Sequence, residues 1–573
     1  QLDSVKQGNF PDWLIAATIS EEKLSRIERM DDRNARNRYL VTSFIMEVEP
    51  QKLLHDVEEM ESISKEDLIQ FAQENFENNA VVVYKTTGTD ESIAKVEKPH
   101  ITPIQVNRDT SSAYFAEISA LEVDPIEPVF IDYDKEIVKF ELQDKIPVRM
   151  VKNEGNDLFT LFYIVDMGTN NDNKLGAAIQ YLPYLGTDSL SSAEIQQAFY
   201  KIGCSFQVFS GNEKSYVYLT GLDENFEEGL QLFEHLLKRA KVDEEALANL
   251  KADEIKSRED NMKNKYMLMY FMTEYATYGE KSPLMNELSN EEVKGLNGDS
   301  LLKKIHNLTS YPHIVTYYGP MEKAELKDKL EAYHAVPEKL RPIPAGKEYK
   351  ELAVDENEIF VVDYDMKQAE IIFVSKDQDL NPKEMAIANL YNEYFGTGMN
   401  SILFQEMREA RGLAYSVYSV YRTPADTTKS HQVYAYIGSQ ADKLPEAMAG
   451  MFEMLNNMPE SERSFESAKK GALEKLRTDR IIKSGKLRDY ESALKRGFDH
   501  DIRKDIYKEI PSLTMNDLKN FYNNRISGSK YRIMVIGNTK ELDLESLKKF
   551  GKVKVLAKEE LVPFYYKPPH QGI

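Results

Sequence analysis

Cysteine is almost absent from this chain of 573 residues, in which Cys204 is the only one. A single cysteine excludes an intramolecular disulfide and a metal cluster held by thiolates. Cys204 follows Gly203 directly and lies between a predicted helix and a predicted strand. We interpret it as a small buried apolar side chain rather than as a nucleophile.

Long apolar runs and a surplus of positive charge are also missing. No run approaches the ~18 apolar residues that a membrane helix requires, so we predict no membrane segment. The formal net charge of -22 argues against a nucleic-acid partner, because binding phosphates requires clustered Lys and Arg. The acidic surplus favours a solvated, repulsive surface, and a preference for basic peptides is the functional alternative.

The nine histidines contain no pair with zinc-binding spacing. Such sites place two His one helical turn apart with a Glu between them, as in H-E-x-x-H or H-x-x-E-H. The nearest pattern runs from His55 to Glu59 and has a glutamate at the second ligand position, which we interpret as a helix surface. His306 and His313 are separated by Pro312 and cannot share a helix face. We therefore predict no metal site in this chain.

Two stretches of the chain, residues 177–187 and 387–397, resemble each other at an offset of 210 residues. Both are apolar and end in Gly-Thr, which indicates a helix that ends at a glycine. Each is followed by a second amphipathic helix, a glycine and an alternating strand. The two glycines are Gly203 and Gly412, and the two strands are residues 205–209 and 415–418.

A second pattern occurs three times. Residues 63–68 and 513–518 each begin a helix, with Ser64 as a natural N-cap, and residues 296–301 form a looser copy. A predicted strand follows each of them, at residues 81–84, 532–537 and 314–319.

The second pattern ends a repeated unit and occurs three times, whereas the first pattern begins a unit and occurs only twice. We therefore predict that the chain starts inside a unit. Gln1 shows neither an initiating Met nor a signal peptide. We predict a half unit at 1–88, an extended linker at 89–135, whole units at 136–335 and 345–560, and a tail at 561–573. The expected fold class is α+β, with each whole unit a mostly antiparallel sheet that has helices packed on one face. Predicted elements include strands at 158–165 and 371–374 and helices at 226–237, 244–263 and 444–455.

The segment 395–417, FGTGMNSILFQEMREARGLAYSV, resembles the pitrilysin/insulinase family, the M16 metallopeptidases. In that family a glycine-rich turn precedes a helix of the form S-x-L-F-Q-x-x-R, and R-G-L-A-Y-S-V follows. The tandem repeat agrees with the four homologous domains of the family.

The resemblance implies roles for several residues of this segment. Arg408 and Tyr415 match the Arg and Tyr that these peptidases supply from the half opposite the zinc, and both are donors suited to a carbonyl that gains negative charge. Gly396, Thr397 and Gly398 are implied to bind substrate. From spacing alone, Arg408 would complement a helix C-terminus and Tyr415 would be a good strand former.

The resemblance also describes the first whole unit as a degenerate copy. Counting back from Gly186-Thr187 places Ala177, Gln180 and Tyr181 where the family has His, Glu and His. Glu254 falls near the position of the distal glutamate ligand, but without the His pair we expect it to be a helix-surface residue.

The function implied is the C-terminal, non-zinc-binding portion of a clamshell zinc endopeptidase that degrades or processes unfolded peptides. No cofactor is expected in this chain, which alone should be inactive. Zinc is expected in an N-terminal half of the same protein or in a separate subunit. The alternative is a noncatalytic partner or assembly subunit of the same family. A bacterial source is expected, and the compartment is left open between periplasm and cytoplasm.

Overall fold

The computed structural model describes residues 1–54, 56–77, 80–86, 88, 92, 112–121 and 124–565. Its N-terminal part is helical. The predicted N-cap Ser64 is confirmed, because its side chain accepts from the Asp67 amide while Asp67 accepts from the Ser64 amide. The helices are α1 (Leu2–Lys6), α2 (Trp13–Asp31), α3 (Arg33–Met46), α4 (Pro50–Leu54), α5 (Asp56–Met60), α6 (Lys65–Asn75), α7 (Ala113–Ser119) and α8 (Tyr133–Glu136).

The strand predicted at residues 81–84 is wrong. Val81, Val82, Val83 and Tyr84 are 65–91% exposed and form no strand, because no neighbouring strand lies beside them in the described part of the chain. A β-prone sequence needs such a neighbour to satisfy its backbone. His55 and most of residues 89–111 lie outside the described residues.

The first sheet has six strands in the order β1-β2-β6-β3-β5-β4. All neighbours are antiparallel except β2 and β6, so this sheet agrees with the predicted fold class. Its strands are β1 (Val138–Leu142), β2 (Ile146–Lys152), β3 (Leu158–Val165), β4 (Cys204–Ser210), β5 (Ser215–Leu222) and β6 (His313–Gly319).

The inner face of the first sheet packs against helices. Helix α11 shows why: Phe226, Leu230, Phe233 and Leu237 recur at helical spacing and are almost fully buried. Burying each such side chain contributes about 1.5–3 kcal/mol. The helices of this part are α9 (Leu175–Tyr181), α10 (Ser192–Lys201), α11 (Phe226–Arg239), α12 (Glu244–Asn261), α13 (Lys265–Tyr278), α14 (Asn290–Lys294), α15 (Gly298–His306) and α16 (Lys323–Tyr333).

The second sheet has the order β12-β7-β11-β8-β10-β9. Its pairs are antiparallel except those that β7 makes with β11 and β12. The strands are β7 (Glu358–Asp363), β8 (Gln368–Asp379), β9 (Ser416–Arg422), β10 (Ser430–Gln440), β11 (Arg532–Gly537) and β12 (Lys552–Leu556). The helices are α17 (Met385–Tyr391), α18 (Ile402–Phe404), α19 (Leu444–Asn456), α20 (Glu462–Thr478), α21 (Gly485–Lys495), α22 (Arg503–Glu509), α23 (Met515–Arg525) and α24 (Leu544–Leu547).

The outer face of the second sheet is covered by α13, a helix that comes before this sheet in the chain. Phe271, Met272 and Tyr275 of α13 form one buried cluster with residues of β7, β8 and β11. Arg532 of β11 is buried and donates to the Tyr275 carbonyl at 3.2 Å, so a cation lies at the C-terminal end of α13.

The outer face of the first sheet is partly covered in return by α21, which comes after the second sheet's β10. Val151 of β2 lies in one cluster with Leu487 of α21. Arg149 of β2 pairs with Glu491, and its guanidinium lies 5.1 Å from the centre of the Tyr490 ring. Each sheet therefore packs on its outer face against a helix that belongs, in sequence, to the part of the chain that forms the other sheet.

Two further predictions can be compared with the fold. Cys204 is buried and free, and burial raises the pKa of its thiol to about 12, which fits the apolar role that we predicted. In the described ranges, no helix combines the length and the apolar character needed to cross a membrane.

Candidate functional site

The Gly396-Thr397-Gly398 turn is built by close backbone contacts. A Cβ on Gly396 would come within 1.7 Å of the Ser419 carbonyl oxygen on β9. Thr397 donates from both its amide and its hydroxyl to the Asn392 carbonyl, at 2.8 and 2.9 Å. Gly398 has φ +83°, a conformation that favours glycine.

The helical stretch of the second copy ends at Gly396, as predicted, whereas that of the first copy ends at Tyr184, two residues before Gly186. Neither glycine has positive φ. Gly186 is required by close packing, because a Cβ there would lie 2.6 Å from the Leu190 carbonyl oxygen. One element later in each repeat, Gly203 and Gly412 occupy equivalent left-handed positions, with φ +55° and +60°.

Arg408 is carried by a π-helical segment, Gln405–Ala410, that continues α18. Ser401 caps α18, accepting from the Phe404 amide and donating to the Gly398 carbonyl. A second π-helical segment, Asn392–Gly396, precedes the turn. Short π segments inside helices occur frequently at functional sites.

Tyr415 is brought back beside Arg408 by the turn at Gly412. The Gly412 amide donates to the Arg408 carbonyl at 3.2 Å, and the Tyr415 amide donates to the Gly438 carbonyl at 3.0 Å. Tyr415 therefore lies one residue before β9, rather than within the strand that we predicted from 415 to 418.

The Arg408 guanidinium lies against two aromatic rings. Its central carbon is 4.8 Å from the Phe404 ring centre and 5.3 Å from the Tyr415 ring centre, and its Nε is 3.7 Å from a Glu409 carboxylate oxygen. The Arg408 side chain is 39% exposed and Tyr415 is 75% exposed. The structure thus brings the two donors together at the surface, in an arrangement favoured by the negative face of an aromatic ring.

The neighbouring Arg411 has a different environment. Its guanidinium donates to both carboxylate oxygens of Glu453 on α19, at 2.7 and 2.9 Å. This two-pronged contact holds the turn against α19, so Arg411 stabilises the loop while Arg408 faces outward.

Three of the four residues that the resemblance equates with the zinc-site residues of the M16 family surround one cavity. Ala177, Gln180 and Glu254 line a space of about 270 Å³. Tyr181 does not: it is fully buried, and its hydroxyl accepts from the Asp243 amide at 2.8 Å and donates to the Asp243 carbonyl at 2.5 Å.

These residues do not fit zinc. A methyl group, an amide and a phenol fixed by two hydrogen bonds stand where the resemblance implies two imidazoles and a glutamate, and a methyl group cannot bind zinc. Glu254 accepts from the buried Arg258 at 2.7 Å, so its carboxylate is already paired. No group of three His, Cys, Asp or Glu side chains suited to a metal occurs in the part of the chain that the structure describes.

Glu254 was expected on a helix surface, and its 36% exposed side chain lies on α12 at the rim of the cavity. Glu287 also lines this space. Burial raises the pKa of Glu287 to about 7, with the charge of Arg258 opposing the increase.

Sequence reasoning missed a buried cluster of hydrogen-bonded polar side chains beneath the first sheet. His313 and His334 face each other at 2.8 Å through their Nε2 atoms. The His334 Nδ1 lies 2.6 Å from Glu234, which also accepts from the Tyr163 hydroxyl at 2.8 Å. All four side chains are nearly inaccessible. His306, by contrast, contacts the Ala240 carbonyl through its Nε2 and takes no part.

Asn392 was missed as well. Its side-chain amide accepts from the Tyr421 N–H at 2.7 Å and donates to the Tyr421 carbonyl at 3.2 Å. It therefore satisfies the outer edge of β9 as a neighbouring strand would. The available signal was a polar residue inside the apolar stretch 387–397.

Comparisons with known proteins identify the family and the fold that this chain resembles. Residues 296–471 match the family model described as the peptidase M16 inactive domain. An uncharacterized zinc protease of Bacillus subtilis, YmxG, is 26% identical over 288 residues, which cover 49% of this chain and 68% of that protein.

Two solved structures share the fold. The peptidase M16 inactive domain from Pseudomonas fluorescens matches with a TM-score of 0.56 at 18% identity, over 70% of this chain and 98% of that chain. The periplasmic protease PqqL from Escherichia coli matches with a TM-score of 0.57 at 13% identity, over 94% of this chain. The match spans 62% of PqqL.

Proposed function

We propose that this chain, which resembles the M16 peptidase family in its domain match and its zinc-protease relative, forms the non-zinc-binding wall of a clamshell zinc endopeptidase. Its ligand would be an unfolded peptide. Zinc, held by an N-terminal half or by a separate subunit, would supply an activated water.

The observation that carries this proposal is the exposed pair of Arg408 and Tyr415. The guanidinium and the phenol are hydrogen-bond donors, and the contact of Arg408 with the Phe404 and Tyr415 rings limits its rotamers. Donors that are already oriented stabilise the negative charge on a carbonyl oxygen without reorganising during the reaction. A purely structural subunit would have no need to keep this pair at the surface.

The Gly396-Thr397-Gly398 turn supports the same role. Thr397 is fixed by its two hydrogen bonds to Asn392, and the exposed Met399 follows the turn. We propose that a peptide backbone passes over this turn, where glycine allows close approach.

The test uses this chain assembled with its zinc-bearing half or subunit. Arg408→Ala and Tyr415→Phe are each expected to lower kcat for an unstructured peptide by about 10²- to 10³-fold. Arg411→Ala is the matched control, because it removes the same charge from the same turn. Its exposed ion pair contributes about 1 kcal/mol or less, so turnover should change by no more than about fivefold.

Unchanged turnover in both Arg408→Ala and Tyr415→Phe would refute the assigned role and favour a noncatalytic partner or assembly subunit. The chain alone should neither hydrolyse peptides nor retain stoichiometric zinc after dialysis. Hydrolysis by the chain alone in the presence of a chelator would contradict the proposal.

A further inference from the structure

The outer edge of β4 in the first sheet is open. In the hairpin that joins β4 to β5, the Gly211 amide donates to the Lys214 carbonyl at 2.8 Å, and the register continues in antiparallel pairs. Because hydrogen-bonded pairs alternate along such a ladder, Phe206 and Val208 direct their N–H and C=O groups away from β5. Within residues 124–565, no hydrogen bond from another element reaches these groups.

The corresponding edge of β9 in the second sheet is closed. The Asn392 side chain hydrogen-bonds to both the N–H and the C=O of Tyr421. The Gly396 backbone packs directly against the Ser419 carbonyl. Ser419 and Tyr421 are buried, whereas Phe206 and Val208 are only half-buried. The two repeats therefore differ in the access that they give to the edge of the sheet.

The open edge ends at a cavity. Ser210, the last residue of β4, lines the same space of about 270 Å³ as Ala177 and Gln180. This volume is large enough for an amino-acid side chain, and amide groups of Asn173, Gln180 and Asn212 line it. Such groups can both donate and accept hydrogen bonds.

We propose that β4 binds an extended peptide as an additional strand, with one polar side chain of the peptide entering the cavity beside Gln180. This inference rests on the proposed function only in taking a polypeptide as the ligand.

A peptide backbone is the ligand whose chemistry matches this edge. Unpaired N–H and C=O groups that repeat every second residue are satisfied by another extended strand. The adjoining cavity then gives a preference for one side chain, as pockets do in other complexes formed by strand addition. A second copy of this chain pairing through β4 is the competing occupant.

The test measures binding of a fluorescein-labelled peptide of alternating threonine and valine with a central glutamine and flanking lysines. Val208→Pro removes one outward N–H, and an edge strand tolerates proline at such a position. We expect it to weaken binding by about tenfold, which corresponds to ~1.4 kcal/mol. Val208→Thr is the matched control, because it keeps the N–H and the β-branched side chain, and it should bind like the unmodified protein.

Two further measurements protect the test against a misfolded variant. The same peptide with alternate amides N-methylated should not bind to the unmodified protein, and the normal peptide should slow hydrogen exchange at Phe206 and Val208. Equal binding of Val208→Pro and Val208→Thr, or protection confined to β9, would overturn the proposal. So would dimerisation through β4 that the peptide does not displace.

Loss of turnover in Arg408→Ala with normal peptide protection at β4 would leave both proposals standing. Normal turnover in both Arg408→Ala and Tyr415→Phe with the same protection would refute only the proposed function, so the two failures are distinguishable.

Discussion

The buried His313 gives the most quantitative prediction. Burial, together with the charge of His334, lowers the pKa of His313 from 6.5 to about 4. Between these values the unfolded chain binds a proton at His313 that the folded chain does not. Stability therefore falls as the pH falls through this window, and the penalty is absent above it.

The size of the effect follows from the two pKa values. A tenfold change in an equilibrium constant corresponds to ~1.4 kcal/mol, so a shift from 6.5 to about 4 amounts to roughly 3 kcal/mol. His313→Gln removes the titration but keeps an acceptor for the His334 Nε2, because a Gln side chain places its amide near the position of the imidazole Nε2. The titratable groups around His313, which are Tyr163, Glu234, Lys238 and His334, are present in both proteins.

The assay is hydrogen exchange of the Val315 and Tyr317 amides on β6, corrected for the intrinsic pH dependence of exchange. Lowering the pH from 7 to 4 should destabilise the wild type by roughly 3 kcal/mol more than His313→Gln. Val315→Ala is the control for a general weakening of the strand, and its cost should be the same at both pH values. Identical pH dependence in the wild type and His313→Gln would refute the reasoning.

Two glycine substitutions and one labelling experiment have expected outcomes of definite sign. Gly396→Ala should destabilise the fold by about 1–3 kcal/mol in thermal denaturation, because the added methyl meets the Ser419 carbonyl. Gly471→Ala, in open space within α20, should stabilise by about 0.5–1 kcal/mol, and the same sign for both would contradict the packing argument. Because burial raises the pKa of Cys204 to about 12, iodoacetamide at pH 8 should label the folded protein far more slowly than the protein in urea. Equal labelling rates would show that the thiol is accessible.

Elements with a local signal could be predicted from the sequence. The strand at 158–165 and the helices starting at Phe226, Glu244 and Leu444 occur where expected, because apolar periodicity over one element is sufficient to specify it. The strand predicted at 81–84 failed because a strand also requires a partner, and residue preference does not supply one.

Contacts between distant residues could not be predicted in this way. Asn392 meets Tyr421 across 29 residues, and His313 meets His334 across 21. Each contact depends on how strands and helices assemble. Arg408 and Tyr415 were identified by the resemblance of residues 395–417 to a known family rather than by their spacing, and the π-helical turn that presents Arg408 has no signal in the apolar pattern. Their catalytic role stays a prediction.

The exchange of α13 and α21 between the two sheets has a consequence for how the molecule can move and be divided. Each sheet completes its core with a helix encoded on the far side of the proline-containing connection near residues 335–345. That connection is therefore not a hinge, and a protease that cuts it should leave two fragments that remain associated. We therefore expect the two repeats to unfold together, and we expect the distance from β4 to Arg408 to be set when the chain folds rather than when a ligand binds.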